Sequence, residues 1–331
     1  MTVSIFRKLF FGTAALFAAA WAIGLTTPAA AQQWPTRPVK IIAVFPPGGS
    51  VDQVSRILAQ QLTTQTGQQF VVENRGGAAG SIGAAAIAKA DPDGYTFGVV
   101  FDTHGVNPSL IPNLPFDTLK DFQPLVLIGT GAMAIATHVD QPYKDFRELL
   151  SVAKKKPNFI TYGSIGTGSL GHLAMAQVGN DQGLQWTHIP YRGGGPLMAD
   201  ATAGHVPVAI GSVFLINPHV KSGRLKVLGV TSLKADPQMP SVEPISAQGI
   251  TGFDASAWWG VYGPAKIPQP IVSRMVEEIT KAIKAPEVAT KLTAQGINIT
   301  AGGPDALDRF QRVEIARWAK VVKANDIKAG D

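Results

Sequence analysis

Four times along this chain a strand-like run ends in a glycine-rich loop that opens a helix. This repetition limits the fold more than any other feature. The loops read FPPGGSVD (Phe45–Asp52), NRGGAAGSIG (Asn74–Gly83), YGSIGTGSLG (Tyr162–Gly171) and YRGGGP (Tyr191–Pro196). Ahead of the first stands VKIIAVF (Val39–Phe45), a continuous apolar run of the kind that a strand covered on both faces shows. Behind it Val51, Val54, Ile57, Leu58 and Leu62 recur at helical spacing, and Gly67 ends the helix. Strand, helix and strand in this order argue for a parallel α/β sheet.

The pattern restarts after the middle of the chain. FITYGS (Phe159–Ser164) is followed by a helix from Ser169, then HIPY (His188–Tyr191) and a helix near Gly195–Ala203. VPVAIGS (Val206–Ser212) and LKVLGVTS (Leu225–Ser232) read as strands, and ASAWWGVYGPA (Ala255–Ala265) as one more. Helices are expected over Gln269–Lys284, Pro286–Gln295 and Pro304–Lys323, with proline suiting the first turns. No low-complexity linker separates the halves, so two α/β domains are expected to be packed or doubly connected.

The N-terminus has a different grammar. Arg7 and Lys8 precede an apolar run from Leu9 to Leu25, and Ala29-Ala30-Ala31 follows. That is the order of a secretory signal peptide, so residues 1–31 are expected to be removed. Of 331 residues, taking away 31 leaves 300, enough for about two domains. No later segment is apolar enough to span a bilayer. The formal charge of +6, less Arg7 and Lys8, leaves about +4, a weak field that favours anionic ligands. Lys154-Lys155-Lys156 is a short cluster read as a solvated helix end, so no nucleic-acid partner is expected. Cysteine is absent, which removes disulfides, thiolate nucleophiles and Cys-ligated zinc.

Glycine lets a backbone come close to a ligand, and a helix N-terminus offers unpaired N–H groups and a favourable dipole to an anion. Ligands of open α/β sheets lie beyond the carboxyl ends of strands. Four such loops can therefore build an anion site from backbone. Each loop alone is also how a tight strand-to-helix turn is made. Gly166, Gly168 and Gly171 have the G-x-G-x-x-G spacing of a dinucleotide fold, but no acid stands at the end of the next strand, so no nucleotide cofactor is expected. Thr167-Gly168-Ser169-Leu170-Gly171 misses the G-x-S-x-G nucleophile elbow, and Ser169 reads as a helix N-cap. The six histidines show no metal-ligand spacing, and no metal is expected. His104 alone is kept as a candidate donor to a ligand carboxylate, because it follows a strand end.

Several stretches together resemble one family. WPTRPVKIIAVFPPGGSVDQVSRILAQQL, VVENRGGAAGSIGAAAIAKADPDGYTFG, THGVNPSL, YGSIGTGSLGHLA, IPYRGGGP and WWGVYGPAKIP look like the substrate-binding proteins of tripartite tricarboxylate transporters, the Bug family. The resemblance runs over essentially the whole chain after residue 31. It implies a two-domain periplasmic binding protein of type II-like fold, with a ligand cleft between the domains and two crossover strands. Domain I is then 32–131 plus 257–331, domain II is 132–256, and Gln123–Ala136 and Ala255–Gly263 are the hinge strands. The resemblance also implies a non-enzymatic, periplasmic protein, monomeric by default, that binds a small organic acid. That acid is a di- or tricarboxylate, or an aromatic carboxylate such as terephthalate, passed to membrane permease subunits.

Carried over by residue, the ligand contacts fall on Phe45, Pro47, Gly48, Gly49 and Ser50 of the first loop and on Ala79 and Gly80 of the second. Thr103 and His104 follow the third strand; Ser164, Thr167, Gly168 and Ser169 come from the other domain. Arg192 stands where the family often has lysine, and is expected to pair with a distal carboxylate. Asp52 is expected to cap its helix. Three departures stand out. The first loop reads Ser50-Val51-Asp52 where many relatives have Gly or Thr before a variable residue and Asp, Asp102 precedes Thr103 where small residues are usual, and Phe214 stands where small polar residues are common. Phe45, Phe214 and Trp258 or Trp259 are expected to form an apolar slot. A carboxylate sensor remains an alternative reading, with a serine hydrolase or a nucleotide-dependent enzyme behind it.

Overall fold

Parallel β-strands flanked by helices account for each half of the molecule. The computed structural model describes residues 34–294 and 296–328, so the expected signal peptide lies outside the described residues. The described residues from Arg37 onward form one compact unit. In its first lobe β1 (Val39–Ala43) lies between β2 (Phe70–Asn74) and β3 (Thr96–Phe101), all parallel. In its second lobe β5 (Thr161–Ser164) lies between β6 (Thr187–Pro190) and β7 (Val208–Ser212), again parallel. The first strand of each lobe is thus flanked by the second and third, so the loops after β1, β2, β5 and β6 all leave carboxyl ends of strands.

Two long antiparallel strands connect the lobes. The first half of β4 (Phe122–His138) pairs with β9 (Ser256–Pro264), from Phe122 opposite Pro264 to Ala132 opposite Ser256. From Met133 onward β4 pairs instead with β7 and with β8 (Leu225–Val230). One strand therefore crosses between lobes near Ala132–Met133. The buried Thr231 ties this crossing to the return: its amide bonds the Met133 carbonyl at 3.0 Å and its carbonyl accepts from the Ala255 amide at 3.0 Å. A short β10 (Asn298–Gly302) completes the sheet against β4.

The helices follow from the same patterning. Helix α1 (Ser50–Thr66) buries Val51, Val54, Leu58 and Leu62 and ends at Gly67 in a left-handed conformation. Each fully buried aliphatic side chain of this kind contributes about 1.5–3 kcal/mol of burial free energy. Leu58→Ala would cost about 2–5 kcal/mol. Helices α2 (Ser81–Ala88), α3 (Thr103–Leu110) and α4 (Phe146–Lys155) follow, then α5 (Leu170–Gln182), α6 (Gly194–Thr202) and α7 (Val213–Lys221). The C-terminal part contributes α8 (Gln269–Lys284), α9 (Pro286–Ala294) and α10 (Pro304–Ala324). Two of these, α3 and α7, carry an internal proline, Pro108 and Pro218, which hides them from helical patterning. No helix of the described residues is long and apolar enough to cross a membrane.

Candidate ligand-binding cleft

The four glycine-rich loops converge. A cleft of about 850 Å3 is lined by Phe45, Pro46 and Pro47 after β1 and by Asn74 at the end of β2 with Gly76–Ala79 after it. Ile165, Gly166 and Thr167 after β5 and Pro190 at the end of β6 with Tyr191 and Arg192 after it form the opposite wall. None of these lining residues is acidic, and Arg192 is their one fixed cation. Arg192 is exposed and makes no ion pair among the described residues. Burial, then the hydrogen bond from its hydroxyl to Asp200 at 2.8 Å, pushes Tyr191 up to about 12, so its ring is a neutral wall.

Deeper in, Gly49, Ser50, Phe101, Ile165, Gly194 and Ser212 help to enclose a void of about 10 Å3, room for one water-sized group. Two helices begin here from opposite lobes, α1 with Gly49 as N-cap and α6 with Gly193. Neither carries a side-chain N-cap, so no cap occupies the first-turn N–H groups of either helix, and α6 has no acidic residue in its first turn. By contrast, Ser169 caps α5 by accepting from the His172 amide, and Ser212 caps α7 by accepting from the Leu215 amide.

Asp52 supports this loop from behind. Its carboxylate accepts from the Gly48 amide at 3.0 Å, from Asn74 Nδ2 at 2.9 Å and from Arg56 at 2.9 Å. Burial opposes the charge, but these donors outweigh it and hold the carboxyl below its usual range. Asn74 also donates to the Phe45 carbonyl at 3.0 Å, so one amide joins the first loop to the second. Asp52 therefore organises the helix start, reaching back one residue beyond the N-cap.

Phe45, Pro47, Ala79, Thr167 and Arg192 line the cleft, and Gly49 and Ser50 line the void. Gly48 sits at the rim, within van der Waals reach of Gly195 across the cleft. Gly80 is buried behind Phe45, with Val44 and Phe45 filling the space a side chain would need. Ser164, Gly168 and Ser169 lie under the loop surface rather than on it. Gly168 donates its amide to His172 Nδ1 at 3.0 Å, and a methyl there would strike Leu110.

The structure does not bring Thr103, His104 or Phe214 to the cleft. Thr103 and His104 are buried in α3. The His104 ring packs among Phe116, Phe122 and Tyr262, and burial holds its pKa at about 3, so it is a neutral core group. Phe214 is buried against Trp259, Trp259 against Phe101, and Trp258 against Phe310. Only Phe45 of the expected aromatic slot reaches the ligand space; large rings at strand and helix positions filled the core instead. Asp102 is likewise fully buried, not beside the cleft. Burial drives its pKa well above the ordinary value, the Leu170 and Thr103 amides oppose the rise, and Glu314 adds to it. Neither carboxyl oxygen has a hydrogen-bond partner among the described residues.

The sequence misses the nucleophile elbow, yet the fold sets a histidine beside a serine. Ser164 Oγ lies 2.7 Å from His188 Nε2 and accepts from Ser169 Oγ at 3.1 Å. Strands β5 and β6 pair Ser164 with Pro190, so these side chains meet only once the sheet forms. The arrangement is unsuited to catalysis. Burial first, then His172 stacked 3.9 Å away, lowers the His188 pKa to about 3. A general base works best with a pKa near the operating pH. Ser164 is itself fully buried and does not line the cleft. The group's role is to hold the loop.

The chain's relatives agree with this geometry. Residues 54–327 match the family model described as "Tripartite tricarboxylate transporter family receptor". A Pseudomonas sp. (strain P51) protein, "UPF0065 protein in tcbD-tcbE intergenic region", is 36% identical over 91% of this chain and 91% of its own. Protein BugT of Bordetella pertussis is 32% identical over 92% of this chain and 94% of its own. Among solved structures, periplasmic binding protein BugD superposes with a TM-score of 0.85 at 29% identity, covering 89% of this chain and 99% of that one. An R. palustris protein with adipate gives 0.86 at 30% identity over 89% and 99% of the two chains. MatC of Rhodopseudomonas palustris with bound malate gives 0.82 at 28% identity over 87% and 100%. The two-lobed α/β framework, the two connecting strands and the loop-built cleft are those of a solute-binding protein rather than an enzyme, and the chain belongs to the tripartite tricarboxylate transporter receptor family, the Bug proteins.

Proposed function

We propose that this chain captures a small organic acid in the cleft by lobe closure and passes it to the membrane subunits of a tripartite tricarboxylate-type transporter. The observation that carries the reading is the cleft's charge pattern: no acidic residue on its lining, one arginine without an ion pair among the described residues, and two helix N-termini without side-chain caps. A carboxylate is met at the inner end by backbone N–H groups and at the outer end by Arg192. Phe45, Pro46, Pro47, Ile165 and Tyr191 between them suit an apolar middle, aliphatic or aromatic. Relatives solved with adipate and malate hold dicarboxylates, which supports the same class here.

Within this reading, residues 1–31 are a cleaved signal peptide and the working protein is a periplasmic monomer. Lobe I is 32–131 plus 257–331 and lobe II is 132–256, divided where β4 changes partners. The test is a thermal-shift panel of aliphatic dicarboxylates, citrate, acidic amino acids and benzene carboxylates. At about 100 times Kd, a ligand stabilises by roughly 2.7 kcal/mol, a readable shift. A shift from one class of acid identifies the ligand chemistry. No shift from any acid, with one from NAD or labelling by a serine-directed phosphonate, would overturn the reading.

A further inference from the structure

The segment Gly77–Gly80 has four consecutive residues with positive φ, at 121°, 45°, 51° and 82°. The two central ones are alanines, whose Cβ disfavours this region. Strain of this kind persists only where surrounding structure holds it, and it gathers at functional sites. Here Ala78 and Ala79 line the cleft. The Gly80 amide closes a turn onto the Gly77 carbonyl at 3.0 Å. The second restraint comes from far along the chain: Asn107 Nδ2, on α3, donates to the Ala79 carbonyl at 3.1 Å.

Asn107 is 1% exposed, and its Oδ1 is buried with no hydrogen-bond partner among the described residues. A side chain kept for packing alone would do better as an apolar one with no unsatisfied acceptor, such as leucine, which has the same branching but is bulkier. What leucine lacks is the donor. By drawing the Ala79 oxygen inward, the amide keeps a carbonyl dipole from turning its negative end towards an anion in the cleft. We propose that Asn107 is a positioning residue for ligand binding: it fixes the left-handed Ala78-Ala79 pair with the Ala79 carbonyl turned away from the ligand. This rests on the cleft being the carboxylate site.

The experiment compares wild type with N107L and N107D by thermal unfolding, by amide exchange of Gly80 in ligand-free protein, and by affinity for adipate, malate and benzene-1,4-dicarboxylate. N107L is expected to melt somewhat lower, because the larger side chain must be accommodated, to exchange the Gly80 amide faster, and to bind the preferred acid roughly tenfold more weakly, the worth of one buried hydrogen bond. N107D is expected to bind poorly when ionised and to recover as pH falls, because its acid form regains a donor. Unchanged Gly80 exchange in N107L, or unchanged affinity, overturns the assignment. A wild type that binds none of the three acids overturns the carboxylate reading beneath it, and the ligand-free exchange result tells that failure apart from a failure of Asn107 to hold the loop.

Discussion

Gly194 and Gly49 meet backbone to backbone across the cleft: a methyl group on Gly194 would end 3.4 Å from the Gly49 Cα. One glycine belongs to the N-terminus of α6 and the other caps α1, so glycine lets two helix starts from different lobes close to within contact.

Next to this contact, a side chain on Gly195 would meet the Pro47 carbonyl oxygen at 3.1 Å. Gly195→Val should act as a wedge. Valine is a better helix former than glycine by a few tenths of a kcal/mol, so stability without ligand should hold or rise slightly. Ligand affinity should fall by about tenfold or more, since about 1.4 kcal/mol of obstructed closure is enough. Calorimetric titration beside thermal unfolding separates the two effects, and a parallel loss of both would contradict closure at this point.

Arg192 is the fixed cation of the cleft lining. Arg192→Gln should weaken a dicarboxylate by roughly 1.5 kcal/mol, the lower end of the charge-assisted range because Arg192 is exposed, and a matching monocarboxylate far less. Arg192→Lys keeps the charge but loses bidentate geometry, and should fall between. Equal losses for di- and monocarboxylates would remove Arg192 from the distal contact.

Asp102 makes folding depend on pH. Its folded-state pKa is raised, first by burial and further by Glu314, against the Leu170 and Thr103 amides. The folded chain therefore binds a proton more tightly than the unfolded chain. This contribution is fully favourable below the unfolded pKa, near 3.9, and is lost as pH rises towards the folded value. Asp102→Asn should remove the dependence, gaining stability over wild type at neutral pH and losing that advantage near pH 4. Denaturant unfolding across that range measures it, and curves that stay parallel would show that Asp102 does not titrate this way. Glu314, also raised by burial, is present in both proteins, so the comparison reports Asp102 together with its repulsion from Glu314.

Ser164 and His188 resemble a catalytic pair in spacing alone. Ser164→Ala removes a partner from His188 and from the Gly166 amide, and should destabilise by about 1–3 kcal/mol. Ester hydrolysis should equal the buffer background in wild type and variant alike. Activity above background in wild type that disappears in Ser164→Ala would mean that the pair is catalytic.

Most of the framework was legible because it is written in local patterns. The apolar run Val39–Phe45, the helical spacing from Val51 to Leu62 and the proline-led C-terminal helices needed no tertiary knowledge. The four loops were legible as a group for the same reason. What escaped was whatever depends on strands meeting or on relative burial. Asn107 lies 28 residues from the Ala79 carbonyl that it holds. His188 reaches Ser164 only through sheet pairing. His104 and Phe214 sit beside motif residues in sequence, yet their helices turn them into the core, which no spacing rule shows.

The measurement that bears most directly on the central claim is calorimetric titration of residues 32–331 with adipate, malate and benzene-1,4-dicarboxylate, each beside its monomethyl ester. A cleft that offers two helix N-termini and Arg192 to an anion should, on the proposed reading, bind at least one diacid and lose about tenfold or more when one carboxylate is esterified, since a charge-assisted contact of about 1.5 kcal/mol is removed. No heat from any diacid, or equal affinity for diacid and ester, would contradict a site made to hold two carboxylates.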